Sequence, residues 1–271
     1  MMDRPSESHS ENDRANELFQ SALECIESNP DSAKMMLREA SSFGCTASMV
    51  LLGDILIDGN DIEKKEALKL FEQAHRAGDS MGSRNLGYCY ALGLGTDADK
   101  EKAAEWYRIS GEAGNAKAMC NLGVLYMYGH GVEKDPAKAA EWYRRSAEGG
   151  YSRGRTNYAC LLRDGEGVPK DPAKAVYWFE QSGSPRAKRL LAQMYLSGTD
   201  IPKDVPKARE LLESASSRDR KAMFILGDLI YDEDRERAVE LFRRSAEKGF
   251  DDAVKRLEDL GLEVPPKKTR L

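Results

Sequence analysis

The chain repeats itself at a spacing of 36 residues. Three segments, EKAAEWYRIS, AKAAEWYRRS and AKAVYWFEQS, align with one another, and their tryptophans, Trp106, Trp142 and Trp178, lie 36 residues apart. Matching segments, RNLGYCYALGLG, CNLGVLYMYGHG and TNYACLLRDGEG, precede them, and weaker copies lie on both sides. A repeat of this length predicts small units that cannot bury their apolar faces alone and therefore stack on one another.

Each repeat predicts two helices, and apolar spacing marks the first of them. In one copy, Ala118, Leu122 and Tyr126 follow one another at intervals of four residues, which forms a single apolar stripe on a helix. A Gly-x-Gly, here Gly129 and Gly131, then ends the helix, because glycine readily adopts the left-handed conformation. The small residue that opens the stripe recurs, which lets neighbouring helices approach closely, at Ser48, Gly82, Ala118, Gly154, Ala187, Ala222 and Ala253.

The second helix of each repeat has a start signal of its own. In Asp135-Pro136, an N-cap residue is followed by the residue that best fits the first helical position. Ala139, Trp142 and Tyr143 then form the inner face, so we interpret the recurring tryptophans as packing residues. Strand patterns are missing, and the sequence therefore predicts an all-α fold. The N-cap aspartates recur at Asp99, Asp135, Asp171, Asp204 and Asp234.

The residues of this unit resemble a known repeat. The copy at Ala118–Gly150 matches the pattern A-x-x-x-L-G-x-x-Y-x-x-G-x-G-V-x-x-D-x-x-K-A-x-x-W-Y-x-x-A almost position for position, and this pattern is similar to the Sel-one-like repeat (SLR), a relative of the tetratricopeptide repeat. The resemblance covers residues 33–261. It implies a right-handed α/α superhelical solenoid of about six helix hairpins. Proteins of this family usually act as adaptors or scaffolds in protein complexes.

The two ends of the chain have a different composition from the repeats. The N-terminal stretch is polar and has no apolar segment of a signal peptide, and the C-terminal stretch EVPPKKTRL is rich in proline and lysine. We therefore expect a disordered tail over residues 1–13, one continuous repeat domain over 14–262 and a flexible tail over 263–271.

Charge and cysteine usage narrow the function classes. The net charge is −5, which argues against binding to nucleic acid, and no apolar run is long enough to span a membrane. The five cysteines are odd in number and form no C-x-x-C pair, which argues against a disulfide framework or a zinc site. A reducing compartment, the cytoplasm, is the expected location.

Residues that carry chemistry are sparse. The three histidines, His9, His75 and His130, have no second histidine or cysteine at ligand spacing. Gly93-Leu94-Gly95 follows a predicted helix rather than a strand, so it lacks the context of a dinucleotide loop. Nucleophile elbows, Walker loops and H-E-x-x-H motifs do not occur. The sequence predicts a protein that is not an enzyme and that needs no cofactor or metal.

Two other functions stay open beside a scaffold. A cysteine-rich branch of the SLR family, which this chain resembles in its repeat, is linked to binding or hydrolysing β-lactam compounds. That branch carries paired cysteines in each unit, whereas Cys89, Cys120 and Cys160 are single here and out of phase with the repeat. The second alternative is a regulatory subunit of an enzyme complex, which is also a binding function.

Helical geometry suggests where a partner binds. Positions −5, −2, +2 and +5 from a core residue such as Leu122 lie close to the opposite side of the first helix, because each residue turns about 100°. In tetratricopeptide-like arrays this face lines the concave groove. We therefore predict that the groove contacts a protein or peptide partner through Arg84, Tyr88, Lys117, Val124, Met127, Arg153, Arg163, Arg186, Arg189, Phe224 and Tyr231.

The composition of this predicted groove indicates the chemistry of its partner. Its arginines favour carboxylates or phosphates, to which guanidinium groups make bidentate hydrogen bonds. Phe224 and Tyr231 are the expected apolar anchors at one end. The hypothesis is an acidic peptide or a loop or helix of a partner protein. The alternative is that the arginines only solvate the surface, or that the tails of the chain fill the groove.

Overall fold

The structure is a computed structural model that describes residues 7–267. The described part of the chain is helical and contains no strand, so the predicted all-α class is confirmed. Its helices are α1 (Glu7–Cys25), α2 (Pro30–Ser42), α3 (Thr46–Leu56), α4 (Asp61–Arg76), α5 (Ser80–Leu92), α6 (Lys100–Glu112), α7 (Ala116–Tyr128), α8 (Pro136–Glu148), α9 (Ser152–Asp164), α10 (Pro172–Ser182), α11 (Pro185–Ser197), α12 (Val205–Ser216), α13 (Arg220–Ile230), α14 (Arg235–Glu247) and α15 (Asp251–Asp259).

The helices group into two compact units. The first comprises Met1–Gly149 with helices α1–α8, and the second comprises Gly150–Leu271 with helices α9–α15. Within each unit a helix packs mainly against the helices that precede and follow it in the chain, as expected for stacked hairpins. A single continuous domain over residues 14–262 stays a prediction.

The N-terminal end differs from the expected tail. Helix α1 begins at Glu7, so residues 7–13 are helical, and residues 1–6 lie outside the described part. Ala15 and Ala22 of α1 are 3% and 0% exposed, because this helix packs on α2 as the first half of a hairpin. A helix was not expected over residues 7–13, and the disorder predicted for residues 1–13 stays a prediction.

The C-terminal end is only partly free of the core. Residues 262–267 have no regular secondary structure, and residues 268–271 lie outside the described part. Leu262 and Val264 nevertheless pack against the apolar cluster of the last repeats. The predicted flexibility of residues 263–271 stays a prediction.

In four hairpins a glycine of the first helix meets an aromatic ring of the second helix, at Gly53, Gly87, Gly123 and Gly227. Every small residue predicted to allow close approach is buried, including Ala118 and Ala222 at 0% exposure. Tyr143 is 4% exposed, and its ring lies against the Cα of Gly123 at a distance that leaves no room for a side chain. The tryptophans are only half-buried, and Trp142 packs against Gly111 of the preceding repeat. They are packing residues, and Trp106 likewise contacts the preceding repeat, at His75.

The predicted N-cap aspartates are confirmed. Asp99, Asp135, Asp171, Asp204 and Asp234 each precede a second helix and accept a hydrogen bond from a backbone amide of its first turn. In one repeat, the Lys138 amide donates to Asp135 Oδ1 at 2.9 Å. This hydrogen bond to the charged form is the main reason why the pKa of Asp135 lies below its ordinary value.

A serine of the second helix, fully buried in three cases, joins the two helices of four hairpins, and this bond was not predicted from the sequence. Ser146 Oγ donates to the carbonyl oxygen of Ala116, the first residue of α7, at 2.6 Å. The first-turn carbonyls of a helix already accept bonds from within the helix, so the serine adds a second bond to this oxygen and ties the helix start to its partner. The same bond is made by Ser110, Ser182 and Ser245 to Ser80, Ser152 and Arg220.

Replacing Ser146 by alanine should lower the free energy of unfolding by about 1 kcal/mol, the usual net contribution of one hydrogen bond. The effect stays modest because alanine occupies the same register at Ala74 and Ala215, where both side chains are buried. Urea unfolding followed by circular dichroism measures it. Ser42→Ala is the control, since exposed Ser42 bonds only to Glu39 within its own helix. Equal midpoints for the two variants would contradict the inter-helix role.

Candidate binding site

In the first unit, the predicted partner-binding residues are unequally exposed. Tyr88 is 43% exposed and Lys117 is exposed as well. Arg84, Val124 and Met127 are half-buried, and the Nε atom of Arg84 is buried without a hydrogen-bond partner in the described part of the chain. Of these five side chains, Tyr88 and Lys117 therefore offer a partner the most surface.

In the second unit, three predicted arginines lie around one thiol. Burial raises the pKa of the Cys160 thiol above its ordinary value, and the positive charges of Arg163, Arg186 and Arg189 oppose that rise. Arg163 is paired with Asp164 at 2.7 Å, whereas exposed Arg186 donates to the neutral amide oxygen of Asn157 at 3.1 Å. The charge of Arg186 is therefore not compensated by that contact.

The two predicted apolar anchors belong to the core of the last repeats. The ring centroid of Phe224 lies 5.7 Å from that of Phe242 and 5.4 Å from that of Phe250. Tyr231 lies 6.2 Å from Phe242, and the guanidinium of Arg256 lies 5.1 Å from its ring. Both side chains are half-buried, so only part of each ring is open to a partner, and their role as anchors stays a prediction.

Phe224 and Tyr231 are half-buried because a helix in a stack of hairpins is covered on two sides. From the sequence we expected all packing contacts on one side of the first helix and the groove on the opposite side. The position two residues before the core leucine instead faces the neighbouring repeat, and there Val50, Cys120 and Thr156 are 6%, 0% and 2% exposed. Only the remaining positions of that face are open to a partner.

The second unit contains a large basic cleft where the first helices of two repeats begin. Its volume is about 1310 Å³. Among the described side chains that line it, seven are cationic and three are acidic, which leaves an excess of positive charge in a protein whose net charge is −5. The cationic residues are Arg186, Arg189, Arg218, Arg220, Lys221, Arg244 and Lys248, and the acidic ones are Asp219, Glu240 and Glu247.

One of the three carboxylates is fully used within the protein. Asp219 Oδ1 accepts from the backbone amides of Lys221 and Ala222 at 2.9 and 3.1 Å and so caps α13. Its Oδ2 accepts from Arg189 Nε at 2.9 Å, and both side chains of this pair are nearly buried. Arg189 is therefore a structural residue at the base of the cleft, while the cations around it face solvent.

The structure thus brings together only two of the predicted residues, Arg186 and Arg189, in one cleft. Sequence reasoning missed Arg218, Arg244 and Lys248 because they lie in a turn and at the end of a second helix, outside the helix face that was considered. A signal was available for Arg218 and Lys248, which stand where other copies carry glycine, whereas Arg244 has an arginine counterpart in Arg145.

The described residues contain no cluster of three or more histidine, cysteine, aspartate or glutamate side chains arranged for a metal ion. All five cysteines are free thiols, and burial raises the pKa of Cys89 to about 12. A thiol held in its protonated form is a poor nucleophile. Among the described helices, none is long and apolar enough to cross a membrane.

Comparison with known proteins agrees with the repeat architecture. The Sel1 repeat profile matches six consecutive segments, residues 46–79, 80–115, 116–151, 152–184, 185–219 and 221–250. The chain belongs to the Sel1 repeat family. The six matches follow the hairpins from α3/α4 to α13/α14, so the resemblance to the SLR family and the expected number of repeats are confirmed.

Solved structures of Sel1 repeat proteins are similar to this chain. One is c5321, a protective antigen of uropathogenic Escherichia coli with an SLR fold, at 27% identity and a TM-score of 0.73 over 93% of this chain. The match spans 57% of the length of c5321. Another is a Sel1 repeat protein from Oxalobacter formigenes, at 27% identity and a TM-score of 0.71, covering 80% of this chain and 92% of that one. Among curated proteins, none matches this chain.

Proposed function

We propose that this Sel1 repeat protein is a non-enzymatic scaffold that binds an acidic segment of a partner protein in the basic cleft of its second unit. The observation that carries the proposal is the excess of cationic over acidic side chains lining that cleft, in a chain that is acidic as a whole. Complementary charge steers a partner and fixes its orientation. The cytoplasm stays the proposed location, which the five free thiols support.

The cleft suits an extended segment better than a small molecule. Its volume of about 1310 Å³ exceeds the range of about 300–1,000 Å³ that is usual for small-ligand pockets. Exposed Arg153 is the second residue of α9, as Arg186 is the second residue of α11, so consecutive repeats carry an arginine at the same position. An acidic partner that spans two repeats would contact both arginines.

Crosslinking mass spectrometry on the chain in native lysate should place crosslinks of its partner beside the basic cleft. Reversing Arg153 and Arg186 to glutamate should weaken capture of that partner about tenfold or more, because each change replaces an attraction by a repulsion. Both side chains are exposed, so the melting temperature should not change. Binding of the partner should also weaken at higher salt, because salt screens the attraction between the cationic cleft and the acidic segment.

A matched control is Lys203→Glu, which makes the same change of charge in the loop between α11 and α12. Capture that survives the reversals at Arg153 and Arg186 but is lost on changes in the outer face of the second helices would overturn the location. A regulatory subunit would show the same binding, and its captured partner would be an enzyme. Turnover of a chromogenic cephalosporin by the purified chain would overturn the non-enzymatic assignment.

A further inference from the structure

The turn that enters the basic cleft differs from every other turn of its kind in the described chain. The residue before the N-cap of a first helix is a glycine with φ between 60 and 91° at Gly44, Gly78, Gly114, Gly150, Gly183 and Gly249. Between α12 and α13 that residue is Arg218. Among the described residues only glycines have a positive φ, so the backbone of Arg218 is not left-handed. The chain makes this turn without a left-handed residue, and the arginine that replaces the glycine lines the cleft.

A second arginine in the cleft has lost the partner that its counterpart has elsewhere. In the repeat at residues 116–151, the guanidinium of Arg145 lies 4.2 Å from the ring centroid of Trp142. In the last repeat, Leu241 replaces the tryptophan, so Arg244, at the position of Arg145, has no ring below it. Arg244 lines the cleft instead.

The end of α14 adds a third change. Lys248 stands where the repeat at residues 116–151 has Gly149. Cations at a helix end usually bond to its last carbonyl groups, but Arg220 Nη1 already donates to the carbonyl oxygens of Lys248 and Gly249 at 2.7 and 3.1 Å. Among the described residues, Arg218, Arg244 and Lys248 have no ion-pair partner, so three cations remain for a ligand.

We propose that Arg218, Arg244 and Lys248 form a site for a phosphate group carried by a serine or threonine of the partner's segment. This inference rests on the proposed function and names the chemistry of the same cleft. Arg218 precedes an N-cap where the other first helices have glycine, Lys248 stands where the repeat at residues 116–151 has Gly149, and Arg244 lacks the ring that its counterpart contacts. All three side chains line one cleft. Packing of the repeats does not require a charged side chain at Arg218, Arg244 or Lys248.

The number of uncompensated cations favours phosphate over a carboxylate. A phosphorylated side chain carries about −1.5 to −2 charges at neutral pH and three acceptor oxygens, whereas a carboxylate carries one charge and two oxygens. Two arginines and one lysine can each donate to a separate phosphate oxygen, and planar guanidinium groups match that geometry. One aspartate or glutamate would leave part of the charge of the site uncompensated.

The test uses the full chain on peptide libraries with random flanking residues and a fixed central phosphoserine, glutamate or serine. Retention on the phosphoserine library should exceed retention on the glutamate library about tenfold, and the serine library should retain the least. The double variant Arg218→Glu/Arg244→Glu should lose the phosphoserine preference. The control, Arg243→Glu, changes the charge of the adjacent residue, which is exposed and does not line the cleft, and should bind within about twofold of the unchanged chain.

Each other outcome identifies what has failed. Equal retention on the phosphoserine and glutamate libraries would overturn the phosphate site and leave the binding of acidic segments intact. A phosphoserine preference that persists in the double variant would overturn these residues as the site. Co-sedimentation with phosphatidic acid vesicles, lost in the double variant, with no retention on the phosphoserine library would assign the cleft to a membrane surface and overturn the protein partner.

Discussion

Replacing Phe179 by alanine is expected to lower the free energy of unfolding by about 3–5 kcal/mol, and replacing the larger neighbouring Trp178 to lower it by less than about 2 kcal/mol. Phe179 is 1% exposed and lies in the apolar cluster of its unit, where its truncation leaves a cavity. Trp178 is half-buried and meets the edges of Tyr158 and Tyr177, so part of its ring already contacts water. Burial, and not ring size, decides the order.

Guanidinium denaturation with both fluorescence and circular dichroism measures the two changes. The circular dichroism signal is needed because Trp178→Ala removes a fluorophore. Phe179→Leu is the control for lost volume, and it should cost less than half as much as the alanine variant because leucine refills most of the space. A larger loss for Trp178→Ala than for Phe179→Ala would contradict the assignment of the core to the second aromatic position.

Replacing Gly131 by alanine should cost about 3 kcal/mol or more, whereas the same change at Gly129 should cost about 1–2 kcal/mol. Both glycines have left-handed backbone, with φ of 71° and 68°, so both variants carry the same conformational penalty. At Gly131 a Cβ would also overlap the carbonyl group of Lys100, at the start of the second helix of the preceding repeat. At Gly129 its nearest neighbour would be the Cβ of Lys134 at 3.2 Å.

Thermal melts of the two variants measure the difference directly. The Gly129→Ala variant acts as the matched control, because it isolates the backbone strain from the steric overlap. Shortening a neighbouring side chain cannot rescue Gly131→Ala, because the atoms that the new Cβ overlaps belong to the backbone of Lys100. Melting temperatures that fall equally in both variants would show that the second glycine is required only for its conformation and not for contact between repeats.

The sequence alone predicted the helical class, the N-caps and the buried small residues, which depend on local chemistry repeated at a fixed interval. The all-α class follows from periodic apolar residues, and the N-caps at Asp99 and Asp135 follow from short-range hydrogen bonding. The buried small residues, such as Ala118 and Ala222, follow from their place in the stripe. Six Sel1 repeats matched where the spacing had predicted them. Each of these signals lies within one repeat and needs no knowledge of its neighbours.

Only the tertiary structure decided which side chains remain open after the repeats stack. Phe224 and Tyr231 were expected on a free surface but are half-buried against the core of the last repeats, because the residues that follow cover a second side of their helix. The start of helix α1 was not predicted, because its apolar side is buried only by packing against α2. The basic cleft depends on residues from the starts of α11 and α13, the turn at Arg218 and the end of α14. These positions are distant along the chain, and only the packing of consecutive hairpins brings their charges into one place.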